Sequence, residues 1–137
     1  MQANAPNVLV SAWFPTTPGA LSAAWLDADA HTAMTGGRAE VAPVERSAFT
    51  AWDGYIEGTL IEIEHERRIL MTWRTTDFAP DDGDSLVELT FSRAHGGTQL
   101  WLHHTDIPRS QGTRYRAGWR DFYVRPMTEY FTAFLAR

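Results

Sequence analysis

The sequence predicts an α+β fold in which a curved antiparallel sheet of about six to seven strands surrounds a long C-terminal helix. Three features of the chain support this prediction. Strand-forming residues occupy 8–14, short apolar runs separated by turn residues fill 39–106, and an apolar stripe of helical period ends the chain. An antiparallel sheet buries one face, and a single long helix covers that face incompletely, so we expect a cavity between them.

The N-terminal elements have clear start and stop signals. Residues 8–14 are rich in β-forming side chains and are followed by a proline, which cannot extend a strand ladder. Thr17 and Pro18 then supply an N-cap and a first helical residue, which predicts a helix over 18–26. A second short helix, over 28–34, should end at the glycine pair that follows it.

The central part of the chain is predicted to be a meander of strands. The pair Asp53-Gly54 is the strongest hairpin signal, because glycine readily adopts the positive φ that a tight turn requires. The connections are short, so neighbouring strands should pair antiparallel. The apolar runs predict strands around 39–43, 47–52, 55–65, 68–76, 85–93 and 98–106.

The last third of the chain has the period of an amphipathic helix about 20 residues long. We expect Pro126 to kink this helix, because its ring meets the carbonyl of Phe122 and one backbone hydrogen bond is lost. The apolar stripe consists of Trp119, Tyr123, Pro126, Met127, Tyr130 and Phe134.

Composition excludes several classes of function. The chain has 137 residues, as expected for one domain over 1–137, and no cysteine, which excludes a disulfide scaffold and a thiolate zinc site. All 12 basic residues are arginine and the net charge is −5, which argues against a nucleic-acid partner. No apolar run approaches the roughly 20 residues of a membrane span. We therefore expect a cytoplasmic protein without a membrane partner.

Short motifs in a characteristic order are spread over most of the chain. They are Ala24-Trp25-Leu26-Asp27, Met34-Thr35-Gly36, Phe49, Trp52-Asp53-Gly54-Tyr55-Ile56-Glu57-Gly58, Arg68-Ile69, Thr72-Trp73-Arg74, Gly97-Thr98, Leu100, Leu102, His104, Gly118-Trp119, Tyr123, Pro126-Met127 and Tyr130-Phe131. Together they resemble the helix-grip fold of the START-like (SRPBCC) superfamily, in the branch similar to the C-terminal domain of the activator of Hsp90 ATPase (AHSA1-like). One departure is Ser47-Ala48, where the family commonly has two glycines.

The resemblance implies two main functions and a less favoured third, and we expect no cofactor. The first is binding of a small hydrophobic or amphipathic molecule between the sheet and the C-terminal helix. The alternative is a protein-interaction module that acts on a chaperone, and a cyclase or hydratase is a third possibility. Large and soft apolar groups suit such a cavity. The predicted ligand-binding residues are Met34, Phe49, Met71, Trp73, Phe91, His104, Trp119, Tyr123 and Met127.

The histidines do not predict a metal site. His103 and His104 are neighbours in a strand and point to opposite faces, so they cannot share one metal ion without distortion. His104 shares the inner face with neighbouring leucines, as either a hydrogen-bonded core residue or a polar anchor for a ligand. We expect the other three to be solvated: His31, His65 and His95.

Two orientations are open for Glu62. If Ile61 and Ile63 face inward, Glu62 is a surface residue. If Ile56 and Leu60 face inward, the same alternation brings Glu62 into the cavity as a second possible polar anchor. A buried carboxylate would then need a partner or a raised pKa.

Trp101 should lie on the outer face of the sheet, because it alternates with Leu100 and Leu102. An exposed tryptophan is either incidental or part of an interface. The interface hypothesis includes a homodimer.

Overall fold

The computed structural model describes residues 7–135 and contains one curved six-stranded antiparallel sheet in the order β1-β6-β5-β4-β3-β2. Two short helices separate β1 from β2, and the C-terminal helices follow β6. The predicted helix-grip architecture is confirmed. The strands are β1 (Val8–Phe14), β2 (Ala48–Ala51), β3 (Ile56–Glu64), β4 (Arg68–Thr75), β5 (Ser85–Ala94) and β6 (Gly97–Thr105).

The two short helices, α1 (Pro18–Trp25) and α2 (Ala28–Thr35), begin at side-chain caps. The hydroxyl of Thr17 accepts a hydrogen bond from the backbone N–H of residue 20 at 3.0 Å, and the carboxylate of Asp27 accepts one from that of residue 30 at 2.9 Å. Gly36 ends α2 in the left-handed conformation, at φ +89°. These local signals explain why both helices were predictable.

The prediction of a strand over 39–43 is wrong. Only Glu40 bridges to β2, through a reciprocal pair of backbone hydrogen bonds with Thr50 at 2.9 and 3.0 Å. The chain then reaches Pro43, which has no N–H to donate, and the N–H of Val44 donates to the carbonyl of Ala42 in a tight turn. The sheet therefore ends at β2.

The C-terminal helical region has an irregularity where Pro126 predicted a kink. It consists of α3 (Gly112–Trp119), a π-helical turn (Arg120–Val124, hereafter the π turn) and α4 (Arg125–Leu135). The N–H of Arg125 donates to the carbonyl of Arg120, five residues back. The wider turn ends just before Pro126, whose ring would clash with a carbonyl four residues back in a regular helix.

The buried stripe of this region advances by four residues at each step. Trp119, Tyr123 and Met127 are buried as predicted, and Phe131 continues the stripe by packing edge-on against a core phenylalanine. Phe134 is 48% exposed, so its predicted place on the stripe is wrong. The π turn holds one more residue than an α-turn, which keeps every fourth side chain on the core side there.

The core lies between the inner face of the sheet and these helices. Alternate residues of β4, β5 and β6 are buried, as expected for a sheet covered on one face. No helix within residues 7–135 is both long and apolar enough to span a bilayer.

Candidate functional site

An opening of about 380 Å³ lies between the β2–β3 hairpin, β4, α3 and the π turn. We call it the aromatic cleft. Its volume is within the range of small-molecule sites. Gly118 helps to keep it open, since a Cβ at that position would meet no atom within 4 Å. Seven of its nine lining residues are aromatic: Trp52, Tyr55, Ile56, Trp73, Tyr115, Gly118, Trp119, Phe122 and Tyr123.

The β2–β3 hairpin holds Trp52 by a strained turn. Trp52, Asp53 and Gly54 all have positive φ values, of +52°, +59° and +88°. Non-glycine residues in this region persist only where the surroundings hold them. Here the N–H of Asp53 donates to the carbonyl of Arg38 at 3.0 Å, and the indole lies against Gly37, where any Cβ would overlap the ring. The position of the indole is therefore set by backbone.

The indole nitrogen of Trp52 is the one buried side-chain polar atom without a hydrogen-bond partner in residues 7–135. Its ring packs edge-on against Phe122, with ring centres 5.5 Å apart. Phe122 belongs to the π turn and is 55% exposed. A buried tryptophan N–H normally has an acceptor, so the fold leaves this donor unexplained.

Two tyrosine hydroxyls of the cleft are engaged at its hairpin end. The hydroxyl of Tyr55 donates to the carboxylate of Asp77 at 2.6 Å, and that of Tyr115 donates to the amide oxygen of Gln111 at 2.5 Å. The hydroxyl of Thr75 lies 2.7 Å from that of Tyr115 and donates to it. Burial, reinforced by Asp77, raises the pKa of Tyr55 to about 12, and burial raises the pKa of Tyr115. Both residues are neutral phenols.

His104 is fully buried in the core beside the cleft. Trp119 Nε1 donates to its Nδ1 at 3.0 Å, and a tryptophan nitrogen can only donate, so the proton of the neutral ring lies on Nε2. Nε2 donates to the hydroxyl of Ser85 at 2.8 Å, and that hydroxyl donates to the carbonyl of Trp73 at 2.6 Å. Burial lowers the pKa of His104 to about 3. Both ring nitrogens thus have hydrogen-bond partners within the core. This agrees with the alternative in which His104 is a core residue and not a polar anchor for a ligand.

The prediction that His31 is solvated is wrong. His31 is 3% exposed, because α2 packs against the C-terminal helices. Its Nδ1 donates to the carbonyl of Trp25 at 2.8 Å, and its Nε2 accepts from the hydroxyl of Tyr123 at 3.0 Å. Burial lowers the pKa of His31 and raises that of Tyr123. His65 and His95 are exposed, as predicted.

Comparison with known proteins identifies the family. The family model for "Activator of Hsp90 ATPase homolog 1-like protein" matches residues 9–132. The chain belongs to this family. The human activator of 90 kDa heat shock protein ATPase homolog 1 is 26% identical over 118 residues, which are 86% of this chain and 35% of the human protein. The chain thus spans about a third of the length of that relative.

Solved structures with the same fold include an HSP90 activator and an Aha1 dimer. PFC0360w, an HSP90 activator from Plasmodium falciparum, superposes with a TM-score of 0.78 at 26% identity and covers 87% of this chain and 91% of that one. The Aha1 dimer from Colwellia psychrerythraea has a TM-score of 0.76 at 11% identity and covers 92% and 96% of the two chains. The second likeness supports the fold alone.

The structure brings three of the nine predicted ligand-binding residues to the cleft: Trp73, Trp119 and Tyr123. The other six are buried and do not line it: Met34, Phe49, Met71, Phe91, His104 and Met127. The sequence analysis missed Trp52, Tyr55, Ile56, Tyr115, Gly118 and Phe122 as lining residues. The hairpin signal at Asp53-Gly54 was the available indication, since Trp52 and Tyr55 flank it.

Glu62 lies on the outer face of the sheet, and the inward alternative is wrong. The register of β3 shifts between Leu60, which pairs with Met71, and Glu62, which pairs with Leu70. This bulge reverses the alternation, so Leu60 is buried while Glu62 is exposed and forms an ion pair with Arg68.

Trp101 lies on the outer face, as predicted, and is 44% exposed. It pairs across the sheet with Ser11 of the edge strand β1, where Leu9 and Trp13 flank that position and are 52% and 40% exposed. We call Leu9, Trp13 and Trp101 the outer patch. It is well separated from the cleft, because the sheet lies between them.

Proposed function

We propose that the protein binds a small apolar or amphipathic molecule in the aromatic cleft. The observation that supports this proposal is an opening of about 380 Å³ walled by seven aromatic residues beside the buried core. A ligand there gains roughly 25 cal/mol for each Å² of apolar surface that it buries. The site is at the hairpin end of the helix-grip interior and not at its centre.

The rim of the cleft suits the polar end of an amphipathic ligand. Tyr55 and Tyr115 carry their hydroxyls there, and Asp77 binds both Tyr55 and the guanidinium of Arg114, at 2.6 and 3.0 Å. Arg114 and Asp77 are about half exposed. A polar group at this end keeps contact with water while the rest of the molecule is buried among the rings.

Thermal unfolding with a panel of apolar and amphipathic probes tests this proposal. A bound probe raises the melting temperature, and saturation at about 100 times Kd adds roughly 2.7 kcal/mol of stability. Gly118→Leu should abolish the rise by filling the cleft, without destabilising the protein, because leucine favours a helix over glycine by up to about 1 kcal/mol.

Gly83→Leu is the matched control, because a Cβ at 83 also meets no atom within 4 Å and Gly83 does not line the cleft. It should keep the response to the probes. Equal responses of the two variants, or no response of the natural protein to any probe, would contradict binding in the cleft.

Membership of the Hsp90-activator family favours a second candidate function, the binding and stimulation of an Hsp90-type chaperone. This candidate goes with the cytoplasmic location that the sequence predicts. The outer patch is the surface we assign to such contacts, because it is apolar and exposed. A chaperone ATPase assay combined with a co-elution experiment tests this candidate. The absence of both stimulation and co-elution would contradict it.

A cyclase or hydratase activity is not part of the proposal. Such chemistry needs an acid or a base within reach of the ligand. The nine described residues that line the cleft include no histidine, aspartate or glutamate. His104 is neutral and engaged in the core, and Glu62 is on the opposite face of the sheet.

A further inference from the structure

We propose that the ligand of the aromatic cleft is a neutral, planar aromatic molecule whose carbonyl oxygen accepts a hydrogen bond from Nε1 of Trp52. This inference rests on the proposed function, since it names the class of ligand that the cleft takes. Three properties of the site lead to it: the arrangement of its rings, the absence of charge on its lining residues, and the unpartnered indole nitrogen.

The rings of the cleft favour a flat aromatic occupant. Trp73 and Trp119 lie with centres 5.4 Å apart at 38°, and Trp119 and Tyr123 lie 4.9 Å apart at 51°. Trp52 and Phe122 meet edge-on at the rim. Aromatic side chains that already pack in tilted and edge-on pairs offer the same contacts to another ring system.

The lining residues favour a neutral ligand. Their side chains are aromatic, aliphatic or absent, and none of the nine is charged. A carboxylate or ammonium group moved into such surroundings would lose its water without gaining a partner. Arg114 and Asp77 are paired with each other outside the lining, so they do not offer a free charge to the cleft.

The hydrogen-bond donors of the cleft indicate where the ligand's polar atom lies. The hydroxyls of all three lining tyrosines are engaged: Tyr55 with Asp77, Tyr115 with Gln111, and Tyr123 with His31. Trp119 Nε1 donates to His104, whereas Trp73 Nε1 forms no hydrogen bond within residues 7–135 but is not sealed from water. Trp52 Nε1 is buried without an acceptor in residues 7–135, so an acceptor brought by the ligand completes the site.

The donor is held rigidly, and the ring that packs against it is half exposed. Gly37 and the bond from the N–H of Asp53 to the carbonyl of Arg38 hold the indole in place, so little freedom is lost when it binds. Phe122 covers the indole at the rim, is 55% exposed and belongs to the π turn. We infer that Phe122 swings aside to let the ligand reach Nε1.

Fluorene and fluorenone test this inference, because they share a planar frame and differ in the carbonyl group. Binding of each probe is followed by ¹H–¹⁵N NMR of the protein with ¹⁵N-labelled tryptophan. Fluorenone should bind about 2- to 12-fold more tightly, as expected for one net hydrogen bond. The indole proton of Trp52, assigned from its contact with Phe122, should move downfield with fluorenone and not with fluorene.

Trp52→Phe keeps an aromatic ring and removes the donor, so the ratio of the two affinities should fall to about one. Trp101→Phe, on the outer face, is the control and should keep the ratio of the natural protein. Equal binding of the two probes, or tighter binding of fluorenone with an unmoved Trp52 resonance, would overturn the inference while leaving cleft binding intact. Failure of every probe in the wider panel would instead refute the proposed function itself.

Discussion

The space between the sheet and the helices has a filled end and an open end, which contain the same kinds of side chain. The two ends differ in whether the polar atoms have hydrogen-bond partners and whether the side chains leave space. At the filled end, His104 receives and donates hydrogen bonds within the core and packs edge-on against Trp73 and Trp119. At the open end, Gly118 leaves space, and the indole nitrogen of Trp52 has no acceptor among the described residues. Aromatic composition alone therefore does not make a binding site; the backbone decides where rings enclose space.

The largest expected effect is the loss of the His104 network at the filled end. His104→Ala should destabilise the protein by about 3–5 kcal/mol, because it leaves a cavity and removes the partners of Trp119 and Ser85. Urea unfolding measures this loss. His103→Ala, one residue away on the exposed face, should change stability by less than about 0.5 kcal/mol. Similar losses in the two variants would show that the network is unimportant.

The second largest expected effect is a loss of stability at low pH, which also arises from His104. The pKa of His104 is lowered to about 3 in the folded protein, against 6.5 when unfolded, so the unfolded chain binds the proton first. The stability present above pH 6.5 is therefore lost as the pH falls toward 3, by about 2–3 kcal/mol at pH 4.5. His31 acts in the same direction. NMR should show His104 still neutral at pH 5, and titration above that value would contradict the prediction.

At the open end, Gly37→Ala should cost about 1–3 kcal/mol, because the added Cβ overlaps the indole of Trp52 and displaces it. Urea unfolding measures the cost, and the Trp52 indole resonance should shift. Gly83→Ala, whose Cβ meets open space, is the control and should be close to neutral. A stable Gly37→Ala variant with an unmoved indole would show that the hairpin does not hold Trp52 as described.

The smallest expected effect on stability belongs to the outer patch. Trp101→Glu should change the unfolding free energy by only about 0.5 kcal/mol, since the side chain is 44% exposed. The sequence analysis also left open a homodimer through this patch. If the homodimer forms, the same substitution lowers the mass of the protein in solution, measured by light scattering. An unchanged mass would contradict the homodimer.

Local sequence signals made much of the fold predictable, and the pairing of strands determined the rest. The caps at Thr17 and Asp27 and the stop at Gly36 act within a few residues, so both short helices were predicted nearly correctly. The strand over 39–43 was predicted wrongly, because only Glu40 of this segment forms a bridge to β2. Glu62 changed face because a bulge shifted the register of β3, and such a shift leaves no mark in the alternation.

The site was less predictable than the fold for a related reason. Alternation and helical period correctly indicated that Trp73, Trp119 and Tyr123 point inward. They gave no way to distinguish an inward residue that borders space from one that fills it. That difference arises from the position of the hairpin carrying Trp52 and from the π turn carrying Phe122.

The amino-acid order alone determined the class of fold, the order of its elements and the faces of most strands, because propensity, capping and apolar period act between neighbours along the chain. Only the tertiary structure decided that His31 is buried, that both ring nitrogens of His104 have partners in the core, that Glu62 faces water, and that a cleft remains beside Gly118. Each of these depends on groups far apart in sequence, whose distances exist only once the chain has folded.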